Sequence, residues 1–349
     1  MRCDASRLIG PSRTNAPYLR FPVHHTSASP TTSTKVHFDG DVAIVTGAGA
    51  GLGRGYATAL AARGARVVCN DIDADAAAAT VEQITDAGGT AVAQGDSVAS
   101  PAGGAAIVER ALEAFGSVEI VINNAGQIRP APFEEMAPEQ FDDVLRTHLY
   151  GAFHVTQPAY VHMKRAGYGR VLFTSSSSGV FGSPWAANYA SAKTALLGLS
   201  NVVAAEGAQH GITSNVVMPQ ALGTNMGTDA GAPYPPAYLA EILDAFGPFM
   251  RHTDVDNVVP WVVFLAHRSC EATRRVYSVG CGHAGRVVVG ATKGWFAPGL
   301  TCSTPEQVAA HLHAVEDTNG FTIPSSAADE LRHMDVHHRA AQSRDDPEP

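Results

Sequence analysis

Cysteine is scarce and unpatterned in this chain. Its five cysteines, Cys3, Cys69, Cys270, Cys281 and Cys302, are odd in number and widely scattered, with no Cys-x-x-Cys pair. That argues against a disulfide framework and against a zinc site, and for a reducing, cytoplasmic setting. No run of 18 apolar residues occurs, so no membrane span is expected. No basic stripe interleaved with aromatics occurs either, and the formal net charge is −9. The electrostatic footprint of a nucleic-acid binder is missing. His311, His313, His333, His337 and His338 lack a carboxylate or cysteine that would complete a metal site, and no metal is expected.

What is present is a globular composition, 45% hydrophobic over 349 residues, enough for a sizeable core. Residues 1–35 are rich in Ser, Thr, Pro and Arg and show no apolar periodicity. They read as a disordered extension; a transit peptide and an upstream start are the alternatives. From Val36 short apolar strands alternate with helical stretches. Strands are expected at 42–45, 66–70, 90–94, 119–122, 170–173 and 213–218. The longest expected helices cover 101–115, 138–165 and the segment from Tyr189 to about Gly207. This alternation implies βαβ units: a doubly wound, Rossmann-type parallel sheet with helices on both faces. The domain is expected to run from 36 to 333. Residues 219–250, rich in Gly, Pro and Thr, read as a lid over the site. A C-terminal helical extension is expected at about 300–333 and a flexible tail at 334–349.

The first strand leads into Thr46-Gly47-Ala48-Gly49-Ala50-Gly51-Leu52-Gly53, which opens a helix. Glycines permit a tight turn and close backbone approach, and a helix N-terminus favours a pyrophosphate. Asp71 ends the second strand, where a carboxylate can accept the ribose hydroxyls and repel a 2′-phosphate. The expected cofactor is therefore NAD. Asp96 and Ser97 end the third strand, placed to hydrogen-bond adenine. Asn123-Asn124-Ala125-Gly126 ends the fourth.

Tyr189 and Lys193 are four residues apart, on one helix face. A free phenol titrates near ~10, so about one in a thousand is ionised at neutral pH. Lowering that value by ~3 units requires roughly 4 kcal/mol. One ammonium at ~4 Å, in an effective dielectric of about 20, supplies that order of energy. The pair can make a proton-transfer catalyst.

Together these motifs resemble the short-chain dehydrogenase/reductase family: the glycine run at 46–53, Asn-Asn-Ala-Gly at 123–126 and Tyr-x-x-x-Lys at 189–193. The resemblance selects Ser176, 13 residues before the tyrosine, from the cluster Ser175–Ser178. It implies catalysis by Ser176, Tyr189 and Lys193. It also implies cofactor contacts from Thr46, Gly47, Gly51, Leu52, Gly53, Asp71, Asp96, Ser97, Asn123, Ala125, Gly126, Tyr189, Lys193 and Thr224. Two departures stand out. Pro219-Gln220 replaces the family's Pro-Gly, and His148 takes the place of an asparagine that helps a lysine–water proton relay.

Thr147-His148-Leu149, the run 167–178 and His267–Glu271 narrow the resemblance. They are similar to the (3R)-hydroxyacyl-CoA dehydrogenase part of peroxisomal multifunctional enzyme type 2 and to related bacterial dehydrogenases. What this implies is NAD-dependent interconversion of a secondary alcohol and a ketone, on a 3-hydroxyacyl-CoA. A hydroxysteroid is the second substrate class, and a non-catalytic dinucleotide-binding protein and an epimerase or dehydratase are the other readings. The family resemblance also implies a homodimer or homotetramer.

Overall fold

The computed structural model describes residues 35–221, 234–300 and 303–345. The expected N-terminal extension, except Lys35, and Thr224 lie outside the described residues.

Eight strands make one sheet. They are β1 (Val42–Thr46), β2 (Arg66–Asn70), β3 (Thr90–Gln94), β4 (Ile120–Asn123), β5 (Gly169–Thr174), β6 (Ile212–Gln220), β7 (Arg275–Gly280) and β8 (His283–Val287). Their order is β3-β2-β1-β4-β5-β6-β7-β8. All neighbours pair in parallel except β7 and β8. The strand order reverses between β1 and β4, and a crevice of this kind at the C-terminal strand ends is where open α/β sheets bind ligands.

The helices are α1 (Gly51–Ala61), α2 (Ala74–Asp86), α3 (Pro101–Phe115), α4 (Pro138–Leu145), α5 (Gly151–Ala166), α6 (Ser177–Phe181), α7 (Ala187–Gly207), α8 (Pro236–Phe246), α9 (Val259–Ala266), α10 (Pro305–Val315) and α11 (Ala327–Asp345). The sheet is covered on both faces because strand side chains alternate. On β1, Ala43 and Val45 join α1 and α9 in one buried cluster. Val42 and Ile44 join residues of α3, α5 and α7 in the other.

Three features differ from the expected pattern. The helix expected over 138–165 is interrupted by a π turn at Arg146–Tyr150, which carries His148. Such turns insert a residue and re-aim side chains, and they concentrate at functional sites. Strands β7 and β8 and helix α9 extend the sheet beyond the expected six strands. Finally, α11 continues past 333 to Asp345, with an ion pair of 2.7 Å between Arg339 and Asp335 one turn apart.

Phe173 on β5 is fully buried and immediately precedes Thr174, whose carbonyl holds the catalytic lysine candidate. Phe173→Ala is expected to lower unfolding stability by about 3–5 kcal/mol. Chemical denaturation checks this, and a loss below about 1 kcal/mol would contradict the packing described.

Candidate active site

The first βα turn is shaped for close backbone approach. Gly47 has φ +67°, and a Cβ on it would come within 2.9 Å of the Ala125 backbone. A Cβ on Gly53 would strike the Gly47 carbonyl at 2.0 Å. Helix α1 begins after Ala50, which offers no side-chain cap. Its first N–H groups therefore point outward unpartnered by a cap, as an anion site requires. Thr46 ties this turn to the end of β4, its hydroxyl oxygen accepting the N–H groups of Asn124 and Ala125 at 3.0 Å each. The Asn124 amide donates to the Thr46 and Gly47 carbonyls.

Asp71 lies beside the turn. One carboxylate oxygen accepts the Gly49 N–H at 2.8 Å and the other accepts the Asp73 N–H at 3.0 Å. Each oxygen keeps lone pairs for further donors. Asp96 is held by two partners that the sequence reading did not single out, Asn70 and Gln94. The Gln94 amide donates to the Asp96 carboxylate at 2.5 Å, and its oxygen accepts the Asp96 N–H at 2.6 Å. The Asn70 amide donates to the Gln94 side-chain oxygen and the Asp96 carbonyl. Ser97 sits at the same strand end, its hydroxyl accepting the Ala99 N–H.

Tyr189 and Lys193 share one face of α7, and both are buried. The Lys193 ammonium donates to the Thr174 carbonyl at 2.5 Å and lies 5.5 Å from the Tyr189 ring centre. Ser176 starts the short helix α6, its hydroxyl oxygen accepting the Ser178 N–H at 3.2 Å. The Ser176 hydroxyl is near enough to the Tyr189 phenol to draw its pKa down. Ser175 instead donates to the Lys193 carbonyl at 2.8 Å, locking β5 to α7. Thus the structure brings Ser176, Tyr189 and Lys193 together at the C-terminal end of β5.

The electrostatics differ from the simple ammonium–phenol argument. Burial pushes Tyr189 up to about 12, and Ser176 offsets only part of it. Burial also pushes Lys193 down to about 7. In the protein alone, desolvation outweighs the attraction expected between the two charged forms.

His148 stands edge-on to Tyr189, ring centres 5.2 Å apart. Its Nε2 lies 2.7 Å from the Gln127 carbonyl and 3.0 Å from the Gln127 N–H. The shorter contact assigns the ring proton to Nε2. Burial and the Lys193 charge hold His148 well below the ordinary range, so the ring is neutral. Its Nδ1 is buried without a partner among the described residues, as is the Asn123 Oδ1. Asn123 donates to the Thr156 hydroxyl at 2.9 Å. His148, Asn123, Lys193, Thr147 and Thr174 line a cavity of about 10 Å³. Gly126 is required here, because a Cβ on it would lie 2.2 Å from the His148 ring.

The family model for short chain dehydrogenases matches residues 41–234, which contain all of these groups. The chain belongs to the short-chain dehydrogenase family. It is 40% identical over 264 residues to the peroxisomal multifunctional enzyme type 2 of Mus musculus, covering 73% of this chain and 34% of that enzyme. It is 40% identical over 291 residues to a short-chain type dehydrogenase/reductase of Mycobacterium tuberculosis, covering 81% and 96%. The structure of full-length peroxisomal multifunctional enzyme type 2 from Drosophila melanogaster superposes with TM-score 0.69 at 32% identity, over 87% of this chain and 50% of that one. The chain therefore spans about a third of the mouse enzyme and half of the fly enzyme. Among the described residues no helix is long and apolar enough to cross a membrane, and no group of His, Cys, Asp and Glu could hold a metal ion.

The lowered Lys193 pKa gives a pH signature. The unfolded lysine titrates at 10.5 and the folded one at about 7. Between these values the unfolded chain binds the extra proton, so stability rises with pH and is lost as pH falls toward 7. Lys193→Met is expected to remove a slope of up to about 1.4 kcal/mol per pH unit. Denaturant titrations at pH 7, 8 and 9 check this; an identical slope in the variant would refute it.

Proposed function

We propose that this short-chain dehydrogenase oxidises a secondary alcohol to a ketone, reversibly, with NAD, and that the alcohol is a 3-hydroxyacyl thioester of coenzyme A. The observation that carries the chemistry is the Ser176–Tyr189 hydroxyl pair with the Lys193 ammonium buried behind it. Tyr189 takes the alcohol proton. Ser176, its oxygen already oriented by the Ser178 N–H, is free to give its hydrogen to the substrate oxygen as that atom becomes a carbonyl. The uncapped start of α1, Gly47, Gly51, Leu52 and Gly53 would hold the pyrophosphate, and Asp71 the ribose hydroxyls, with Asp96 and Ser97 near the base. The nicotinamide, when bound, accepts the hydride, a chemistry of its own. Lys193, poised at about 7, exchanges a proton at neutral pH. His148 and Asn123, which line the cavity with it, carry the unpartnered acceptors Nδ1 and Oδ1.

The carboxylate of Asp71 supports NAD over NADP, since a 2′-phosphate would meet a like charge. Apolar groups beside Tyr189, namely Ile128, Leu145 and Tyr234, support a substrate with an acyl chain. The multifunctional-enzyme relatives favour the same class. Exposed Tyr150 at the end of the π turn, Phe153 and Val161 on α5 and Val202 on α7 support a homo-oligomer, a dimer or tetramer. Free thiols at Cys69, Cys270 and Cys281 support a reducing compartment such as the cytoplasm.

Tyr189→Phe is expected to lower turnover by about 10³-fold or more while NADH binding, read by fluorescence titration, stays within about twofold. Near-normal turnover would sink the assignment. A panel of 3-hydroxyacyl-CoAs and hydroxysteroids, read by NADH formation, decides the substrate class; steroid turnover alone would replace the thioester reading. Asp71→Ser is expected to narrow the preference for NAD over NADP by roughly tenfold, about 1.4 kcal/mol. An unchanged cofactor ratio would remove Asp71 from that role.

A further inference from the structure

The four serines Ser175–Ser178 do not act alike. Ser175 is spent on the Lys193 carbonyl. Ser177 accepts from the Gln220 amide at 2.6 Å, and the same amide nitrogen donates to Ser278 on β7 at 3.1 Å. Gln220, a departure from the family's glycine, thereby ties the start of α6 to β6 and β7. Ser178 is held from the other side. Its hydroxyl accepts from Ser183 at 2.8 Å, and Ser183 in turn lies 2.7 Å from the Tyr238 hydroxyl. Ser183 has given its one hydrogen to Ser178, so Tyr238 is the donor to Ser183.

Tyr238 belongs to α8, a helix with no buried residue. Besides this hydrogen bond, Tyr238 touches Tyr234, ring centres 5.8 Å apart, and Tyr234 packs on the small cluster that contains Tyr189. Leu239 and Leu243 on the same helix are exposed. Among the described residues, this hydrogen bond and this ring contact link the helix to the site.

We propose that Tyr238 is a positioning residue for the reaction. It acts through Ser183 and Ser178 on Ser176, so that the seat of α8 and the aim of the catalytic hydroxyl are set together. The route is short. Tyr238 fixes Ser183, Ser183 fixes Ser178, and the Ser178 N–H fixes the Ser176 oxygen, leaving the Ser176 hydrogen to the phenol or the substrate. Gln220 fixes the same short helix from β6, independently of α8. The hydroxyl of Tyr238 is therefore needed for turnover more than for folding or for cofactor binding. This inference rests on the dehydrogenase reading of the Ser176–Tyr189 pair.

The test uses the full chain with NAD and a secondary alcohol that the wild type turns over. Tyr238→Phe keeps the ring contact and removes the hydroxyl. It is expected to lower kcat by about fivefold or more, with KM for NAD within about twofold and an unchanged melting temperature. Ser183→Ala is expected to do the same, and Ser183→Thr, which keeps a hydroxyl, to restore most of the rate. Because Tyr238 and Ser183 lie on one path, the double variant should be no worse than the poorer single variant, whereas Tyr238→Phe combined with Gln220→Ala should lose rate additively. Hydrogen exchange over residues 177–183, measured without substrate, should rise in Tyr238→Phe. A kcat within twofold of wild type, additive losses for Tyr238→Phe with Ser183→Ala, or unchanged exchange over 177–183 would each overturn the proposal. If no alcohol is turned over, the dehydrogenase reading fails, while the exchange measurement still decides whether Tyr238 orders the serine segment.

Discussion

The site depends on the burial of one ammonium. Lys193 has 1% of its surface exposed and gives a hydrogen bond to the Thr174 carbonyl. Removing a charge from water is costly, and the cost emerges as a pKa near neutrality instead of as a fixed positive charge. The chain therefore holds at its centre a group that gains or loses a proton at working pH. The sheet keeps it there: Ser175 clasps the Lys193 carbonyl from β5, while Gly179 must lack a side chain because a Cβ would lie 2.8 Å from that of Lys193.

The same economy governs the strand ends. Polar groups near the C-terminal edge of the sheet satisfy one another. Thr46 binds two N–H groups of the β4 turn, Asn124 returns two bonds to the glycine turn, and Asn70 with Gln94 fixes Asp96. Thr46 and Asp96, both expected to meet the cofactor, are thus themselves held by neighbours. Preorganisation of this kind sets geometry before a ligand arrives and lowers the ordering cost of binding it.

The parts legible in the sequence are those fixed by local rules. Apolar runs such as Val42–Val45 and their glycine turn read directly, because strand, turn and helix start each leave a residue signature. The Tyr189–Lys193 pair reads from helical spacing once the glycine turn and the Asn-Asn-Ala-Gly strand end are read with it. What stayed hidden depends on contacts remote in sequence. In strand β7 the polar Arg275 and Ser278 interrupt the apolar residues, and the segment becomes a strand because β6 pairs with it. The π turn at Arg146–Tyr150 has no signature of its own; it is stabilised where His148 reaches Gln127, 21 residues earlier. Asn70, Gln94 and Gln220 are ordinary polar residues in the sequence, and only the register of neighbouring strands gives them partners. The pKa of each partner in the protein alone is hidden for a related reason, since the sequence shows the spacing of two groups and not the depth at which both are buried.

The replacement of an asparagine by His148 changes the balance of donors and acceptors around the lysine. An amide would offer one of each. A neutral imidazole whose N–H is given to Gln127 offers only an acceptor, Nδ1. Asn123, with its amide given to Thr156, likewise presents only its Oδ1. Two bare acceptors and the Lys193 side chain therefore surround a cavity of about 10 Å³. Imidazole in this place therefore leaves acceptors, and no donor, on the residues that line the cavity with Lys193.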